Sequence, residues 1–312
     1  MNSFLVSVVI PVYNAERFIE EAVVSALSQQ EVGEVILIED GSKDESLRKC
    51  QELSNSHDNV ILLWHDKHAN RGAGFSRNLG IKNAQYDYIS FLDADDYYLP
   101  NRFNNERRLF LDNPGLGGVY AATGFVFESE IARSNWSEFR EEATLTTTDK
   151  KLEGPELFKA LLFGGHGHFS TDAIVFRKTA IDLIGFFENY ENGEDTHFFL
   201  KLCLMVNVVP GEIAEPVAIR RVHENSRCII DTKKAKNARK RIYKDLYQWS
   251  LNNTGVSFDR KNDIFQALTN QYLSNNQFIV LLILAYELPL SIISSFTWLK
   301  MISLMRRLFV SS

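Results

Sequence analysis

Apolar and polar positions in the first hundred residues switch repeatedly between a short period and a helical one. Val6–Pro11 is a run of mostly β-branched side chains stopped by Pro11, and reads as a buried strand. Asn14 stands where it can cap a helix from Ala15 to about Gln30, because Phe18, Ala22, Val23, Ala26 and Leu27 then form one apolar stripe. Val35–Asp40 is a second apolar run, followed by the turn residues Gly41-Ser42 and a helix through Leu53. Val60–Trp64 predicts a third strand, about Ala73 to Ala84 a helix, and Tyr88–Leu92 a fourth strand, after which Leu99-Pro100 opens another helix. Alternation of this kind predicts an α/β fold, a parallel sheet with helices on both faces.

The pattern then loosens. Gly117–Phe127 reads as one strand, residues 129–150 as a polar loop or hairpin rich in Thr and Glu, Ala173–Phe176 as a strand and Gly193–Met205 as a helix. Residues 233–244 carry seven basic side chains and no acid, and residues 278–310 are strongly apolar. These shifts place a boundary near residue 230. A first domain is expected over 1–230. A helical extension, 231–312, follows.

Composition narrows the classes. Hydrophobic residues make up 45% and charged residues 24% of the 312, which is ordinary for a globular protein. A net charge of -6 argues against nucleic acid as the partner, since phosphate binding wants a basic face. Cys50, Cys203 and Cys228 are widely spaced and odd in number, so they read as reduced thiols. The apolar Phe4–Ile10 has no Lys or Arg before it and no small-residue cleavage site after it; it reads as a strand, not a signal peptide. The sequons at Asn135 and Asn252 are then accidental.

In open α/β sheets, ligands bind outside the carboxyl ends of the strands. Those ends read Pro11-Val12-Tyr13-Asn14, Glu39-Asp40-Gly41-Ser42 and Asp93-Ala94-Asp95-Asp96, three polar clusters on one rim. Carboxylates this dense repel one another unless a cation neutralises them, and Mg²⁺ commonly takes one or two carboxylates plus substrate phosphates. A solvated acidic turn or a helix cap would use the same residues. Asp40 can accept from a base N–H and Tyr13 offers a stacking face, although an Asx turn and a core-capping aromatic are the plainer readings. Arg71-Gly72-Ala73-Gly74, followed by Arg77-Asn78, sits where a helix N-terminus would favour an anion. The glycines do not complete a dinucleotide fingerprint and follow the third strand, which sets aside a nicotinamide enzyme. Glu194-Asp195 opens a helix, where acids can serve catalysis or only offset the dipole. His223 is a candidate further metal ligand. His166-x-His168 reads as a loop element that binds metal or lines an acceptor pocket, the loop role without metal being preferred.

Taken together, VSVVIPVYNAERFI (6–19), EVILIEDGSKD (34–44), NRGAGFSRNLGI (70–81), YISFLDADDYYLPNR (88–102), GEDTHFFLKL (193–202) and RVHENS (221–226) resemble the family-2 glycosyltransferases with the A-type (GT-A) fold. The order and spacing of the six match over roughly the first 230 residues. Glu39 departs from the Asp usual there. The resemblance implies a Rossmann-like, mostly parallel sheet, with a nucleotide half of about 1–100 and an acceptor half of about 101–230. It implies that Pro11, Tyr13, Glu39, Asp40, Arg71, Arg77, Asp93 and Ala94 bind the nucleotide sugar. Asp95 would ligate Mn²⁺ or Mg²⁺, with His223 completing the site when its loop closes. Asp195 would be the general base, supported by Glu194. The reaction implied is inverting, metal-dependent transfer from a nucleotide-diphosphate sugar, UDP-linked by family frequency, to a glycan or lipid-linked acceptor in surface-glycan synthesis.

Two rivals use the same residues. A sugar nucleotidyltransferase predicts a more basic triphosphate loop than residues 11–17 provide, and a non-catalytic carbohydrate-binding scaffold predicts eroded acidic motifs. Glu287 and Pro289 interrupt the apolar tail, and a central acid costs about 2.5–3.5 kcal/mol in a span. The reading preferred over a span is of helices on the membrane surface, with the basic run toward anionic lipid; packing on the catalytic domain is the alternative. The expected location is the cytoplasm, peripheral on the inner face of the membrane, with homo-oligomerisation through the tail as a separate expectation.

Overall fold

Val6, Val8, Val9, Ile10 and Val12 are all fully buried, so the first strand lies inside the sheet, covered on both faces. The computed structural model describes residues 4–137, 144–224, 226 and 232–272. The chain divides into two compact units between Asp231 and Thr232.

The strands of the first unit are β1 (Val6–Val12), β2 (Val32–Glu39), β3 (Val60–Trp64), β4 (Tyr88–Phe91), β5 (Tyr97–Tyr98), β6 (Gly118–Tyr120), β7 (Ala122–Phe127), β8 (Leu145–Thr146), β9 (Ile174–Arg177), β10 (Val208–Pro210) and β11 (Pro216–Val222). Its helices are α1 (Ile19–Leu27), α2 (Ser46–Ser56), α3 (Ala73–Asn83), α4 (Asn104–Asp112), α5 (Glu130–Ser137), α6 (Gly154–Phe163), α7 (Ile181–Ile184) and α8 (Glu194–Met205). One sheet runs β10-β6-β9-β4-β1-β2-β3 and the other β5-β11-β7-β8. In the larger sheet β1 pairs parallel with β2 and β4, β2 with β3, and β10 with β6. β9 alone runs antiparallel, between β4 and β6. The mixed, mostly parallel sheet with flanking helices agrees with the α/β expectation.

Alternation along β1 divides the core. Val6, Val8, Ile10 and Val12 join Ile19, Ala22, Val23 and Ala26 of α1, Cys50 of α2 and Phe110 of α4 in one cluster. Val9 points the other way, toward α3, where a Cβ on Gly80 would stand 2.2 Å from Val9 Cγ1. Only glycine allows that helix to sit so close. Rings fill the same face: Phe91 lies 5.7 Å from Phe176, and Phe187 stacks on Phe198 at 4.0 Å. Cys50 and Cys203 are buried and not joined in a disulfide, and burial pushes the Cys50 thiol up to about 12; Cys228 lies outside the described residues.

Several expectations need correction. The first helix starts at Ile19, and Asn14 does not cap it. Asn14 instead adopts a left-handed φ of 51° and accepts from Lys43 N–H, while Ser46 Oγ and Asp44 Oδ2 accept from the N–H groups of Ala15 and Glu16. Gly117–Phe127 is not one strand: the chain leaves the large sheet after Tyr120 and enters the small one at Ala122. The polar stretch after residue 129 holds α5, tied down by Trp136 against Phe125 and Phe127. The helix expected at Leu99-Pro100 begins at Asn104, because Tyr97–Tyr98 first pairs with β11.

The second unit contains α9 (Thr232–Asn252) and α10 (Phe258–Tyr272). They pack along one another, with Ile242, Leu246, Ile264 and Leu268 buried and the rings of Tyr247 and Phe265 5.4 Å apart. The apolar tail 278–310 lies outside the described residues. Among the described residues no helix is long and apolar enough to cross a membrane.

Candidate active site

Parallel pairing puts the carboxyl ends of β1, β2 and β4 on one rim, with Val12 beside Glu39 and Val9 beside Phe91. Because β9 runs the opposite way, its amino-terminal approach reaches the same rim. Asp172 arrives there, and its Oδ1 accepts from Asp93 N–H at 3.0 Å.

At one end of the rim, Asp40 is buried and shapes the loop ahead of α3. Its Oδ1 accepts from Arg71 N–H at 2.7 Å and its Oδ2 from Gly72 N–H at 2.8 Å. His65 Nε2 lies 3.6 Å from Oδ1. Glu39, also buried, accepts from Ser42 N–H at 2.5 Å and stands 3.6 Å from His68 Nδ1. Tyr13 is exposed, Arg71 is exposed and Pro11 is partly buried. Asn14, Lys67 and His68 all take left-handed φ values, of 51°, 58° and 50°. Strain of this kind in non-glycine residues gathers at functional sites.

At the centre, Arg77 is 4% exposed and bridges two carboxylates. Its Nη2 donates to Asp93 Oδ1 at 2.7 Å and its Nη1 to Glu194 Oε1 at 3.2 Å. Burial alone would lower its pKa; the charges of Asp93 and Glu194 outweigh that and hold it above the usual arginine range. Burial raises Glu194, helped by the charge of Asp195 and opposed by Arg77. Gly193, left-handed at φ 84°, turns the chain into α8, so both acids fall in its first turn. Asp195 Oδ1 accepts from Thr196 N–H at 2.6 Å, and the residue is partly exposed.

Behind Ala94, which is buried, lies an acidic cluster: Asp93, Asp96 and Asp172 each offer an oxygen, all within 4.8 Å of one another. Burial, then the charge of Asp172, raises Asp96; burial, then the charge of Asp93, raises Asp172; Arg220 opposes both shifts. Asp96 Oδ1 accepts from Arg221 N–H, and Arg220 Nη2 donates to Ser170 Oγ. Asp95 is not one of the three, although its charge also raises Asp96. Asp95 Oδ2 lies 3.1 Å from His223 Nε2, with the two side chains 35% and 16% exposed. An oxygen and an imidazole nitrogen open to solvent at a carboxylate-rich rim suit a divalent ion. The groups near this rim that could hold a cation are thus the oxygens of Asp93, Asp96 and Asp172, and the Asp95–His223 pair.

The structure thus gathers Asp93, Asp95, Glu194, Asp195 and His223 around one rim, with His223 Nε2 3.1 Å from Asp95 Oδ2. His166 pairs instead with Asp149, at 3.0 Å on the surface. Sequence reasoning missed Asp172 and Arg220. Ser170-Thr171-Asp172, directly ahead of an apolar run, was the available signal for the first; nothing local marked the second.

Comparisons with known proteins identify the family and the fold. Residues 7–181 match the profile of Glycosyl transferase family 2. An uncharacterized glycosyltransferase of Haemophilus influenzae is 36% identical over 114 residues, which are 36% of this chain and 45% of that protein. The minor teichoic acid biosynthesis protein GgaA of Bacillus subtilis is 27% identical over 231 residues, 72% of this chain and 49% of that one. The chain therefore spans less than half the length of these curated relatives. S. aureus TarS, solved in complex with UDP-GlcNAc, shares the fold with a TM-score of 0.64 at 17% identity, covering 92% of this chain and 77% of that one. The mannosyltransferase PcManGT from Pyrobaculum calidifontis, solved with GDP-Man and Mn²⁺, gives 0.51 at 17% identity, covering 96% and 80%.

Proposed function

The chain belongs to glycosyl transferase family 2, and from that premise we propose that it moves a sugar from a nucleotide diphosphate to an acceptor hydroxyl with inversion at the anomeric carbon. The observation that carries the proposal is the Arg77 bridge. It ties Asp93, on the donor side of the rim, to Glu194, next to Asp195, so donor and acceptor groups are linked through one buried side chain.

The base binds at the Tyr13, Asp40 and Arg71 end. Each Asp40 oxygen accepts one backbone N–H, which leaves lone pairs for a base N–H. Pro11, Glu39 and Ala94 line the same stretch. Asp95 and His223 would hold Mn²⁺ or Mg²⁺, and the ion when bound would offset the charge of the diphosphate. Asp195 takes the proton of the acceptor hydroxyl. As that oxygen bonds to the anomeric carbon from the opposite face, the bond to the diphosphate breaks and a nucleoside diphosphate leaves. A base so placed is worth about 10²–10⁴-fold. Glu194, held by Arg77, keeps the first turn of α8 in place.

UDP is the preferred nucleotide, supported by TarS with UDP-GlcNAc; GDP, seen with PcManGT, is the alternative. The acceptor is a glycan or lipid-linked surface polymer, in keeping with the teichoic acid proteins GgaA and GgaB. The basic run 233–244, on α9, would rest on anionic lipid. Carbonate washing separates surface binding from a span, and sedimentation reports any homo-oligomer.

The deciding experiment is calorimetry of UDP, GDP and their sugars with and without Mn²⁺, on the wild type and Asp95→Ala. Metal-dependent binding of one nucleotide, lost in the variant, supports the reading. Release of pyrophosphate would favour a nucleotidyltransferase. No nucleotide binding by folded protein would favour a carbohydrate-binding scaffold.

A further inference from the structure

Phe18 stands immediately before α1 and is 7% exposed. Its ring centroid lies 5.2 Å from that of His223, with the planes inclined by only 26°. Two guanidinium groups close on the same ring: Arg17 at 4.8 Å and Arg221 at 5.0 Å. Arg221 is itself fixed. Its backbone N–H donates to Asp96 Oδ1 at 2.7 Å, and its Nη2 donates to Glu21 Oε2 of α1 at 2.7 Å. The main chain of His223 is pinned as well, since its N–H donates to Ser226 Oγ and its carbonyl accepts from Ser226 N–H, both at 2.9 Å.

These contacts fix the backbone at the end of β11 and hold it against α1, while the imidazole itself meets Asp95 Oδ2 at 3.1 Å through Nε2 and stacks on Phe18. Phe18 is an aromatic partner of that ring from the residue just ahead of α1. We propose that Phe18 is a positioning residue: its ring holds the His223 imidazole in the orientation that aims Nε2 at Asp95, so both ligand atoms are in place before a cation arrives. The proposal rests on the reading of Asp95 and His223 as the cation pair. Without the ring, the ligating orientation is only one of several staggered choices. The apparent affinity then falls by the fraction of molecules that leave it. The usual strength of an aromatic pair corresponds to about a threefold to tenfold change in binding.

The test uses the full chain with histidine rings labelled for NMR, the His223 signals being assigned by their loss in His223→Ala. Mn²⁺ alone is the probe, read by the broadening it causes at those ring protons. Phe18→Leu should move the metal-free His223 ring shifts away from their stacked values. It should also raise the Mn²⁺ midpoint about threefold to tenfold, whereas Phe18→Tyr should preserve both. Phe18→Met serves if the Leu variant does not fold. Unchanged shifts and midpoint in a folded variant without the ring would overturn the proposal. If instead Asp95→Ala leaves the Mn²⁺ broadening at His223 intact, the cation pair itself falls, while the metal-free shifts still judge the stack.

Discussion

Across 128 residues of chain, His223 Nε2 comes to 3.1 Å from Asp95 Oδ2. A carboxylate oxygen and an imidazole nitrogen this close either share a proton or hold a cation between them. In the metal-free protein they are hydrogen-bonded, and under the proposed function the same two atoms would hold the cation.

Removing either partner should therefore cost metal affinity. Asp95→Ala and His223→Ala are each expected to weaken Mn²⁺ binding by at least about tenfold, with the unfolding transition of the metal-free protein little changed. Electron paramagnetic resonance of free Mn²⁺ measures this. Wild-type affinity in both variants would place the ion elsewhere.

Asp195→Asn should lose at least about 10²-fold in kcat and keep its nucleotide affinity. The amide oxygen can still accept the Thr196 N–H that Asp195 Oδ1 accepts, so the start of α8 is preserved and only the proton acceptor is removed. Nucleoside diphosphate release measures kcat. Turnover that survives would reassign the base.

Arg77→Met should destabilise the fold by about 3–5 kcal/mol, as breaking a buried pair does by leaving charges uncompensated. Here Asp93 and Glu194 both lose their counter-ion. Adding Asp93→Asn or Glu194→Gln should restore part of the loss, because it removes one uncompensated charge. Urea unfolding of the singles and doubles tests the claim, and strict additivity would contradict it.

What the sequence revealed and what it hid follow from distance along the chain. Val6–Pro11, Val35–Asp40 and Tyr88–Leu92 were legible because a strand buried on both faces announces itself locally, and so do the polar residues that end it. Asp172 was hidden because its place depends on β9 running against its neighbours. That reversal is set by pairing with Tyr88–Ser90, far away in sequence. Arg220 and the Phe18 contact with His223 depend on β11 entering the small sheet between β5 and β7. The α5 helix was hidden by composition: a polar, Ser- and Arg-containing stretch becomes helical through Trp136, whose burial no local period reveals.

His197 supplies a pH test. It is 2% exposed, neither ring nitrogen has a hydrogen-bond partner among the described residues, and Lys201 on the same helix is also buried. Burial, then the charge of Lys201, lowers its pKa to about 3. The unfolded chain therefore binds a proton below about pH 6.5 that the folded chain refuses until about pH 3. Stability should fall as pH drops through that window, by up to about 5 kcal/mol at its lower end. His197→Phe should flatten this limb relative to the wild type in urea titrations from pH 7 to pH 4. Parallel curves would show that another group governs it.

The late position of β11 has a consequence for biosynthesis. Asp40, Arg77, Asp93 and Asp95 leave the ribosome early, and Asp195 follows, but Arg220, Arg221 and His223 come last of the rim. Until Pro216–Val222 slots between β5 and β7, Asp96 lacks Arg221 N–H, Asp95 lacks His223 and Glu21 lacks its arginine. A growing chain thus carries Glu21, Asp95 and Asp96 well before the partners that β11 brings them, and a truncation ahead of β11 would leave these three carboxylates without those contacts.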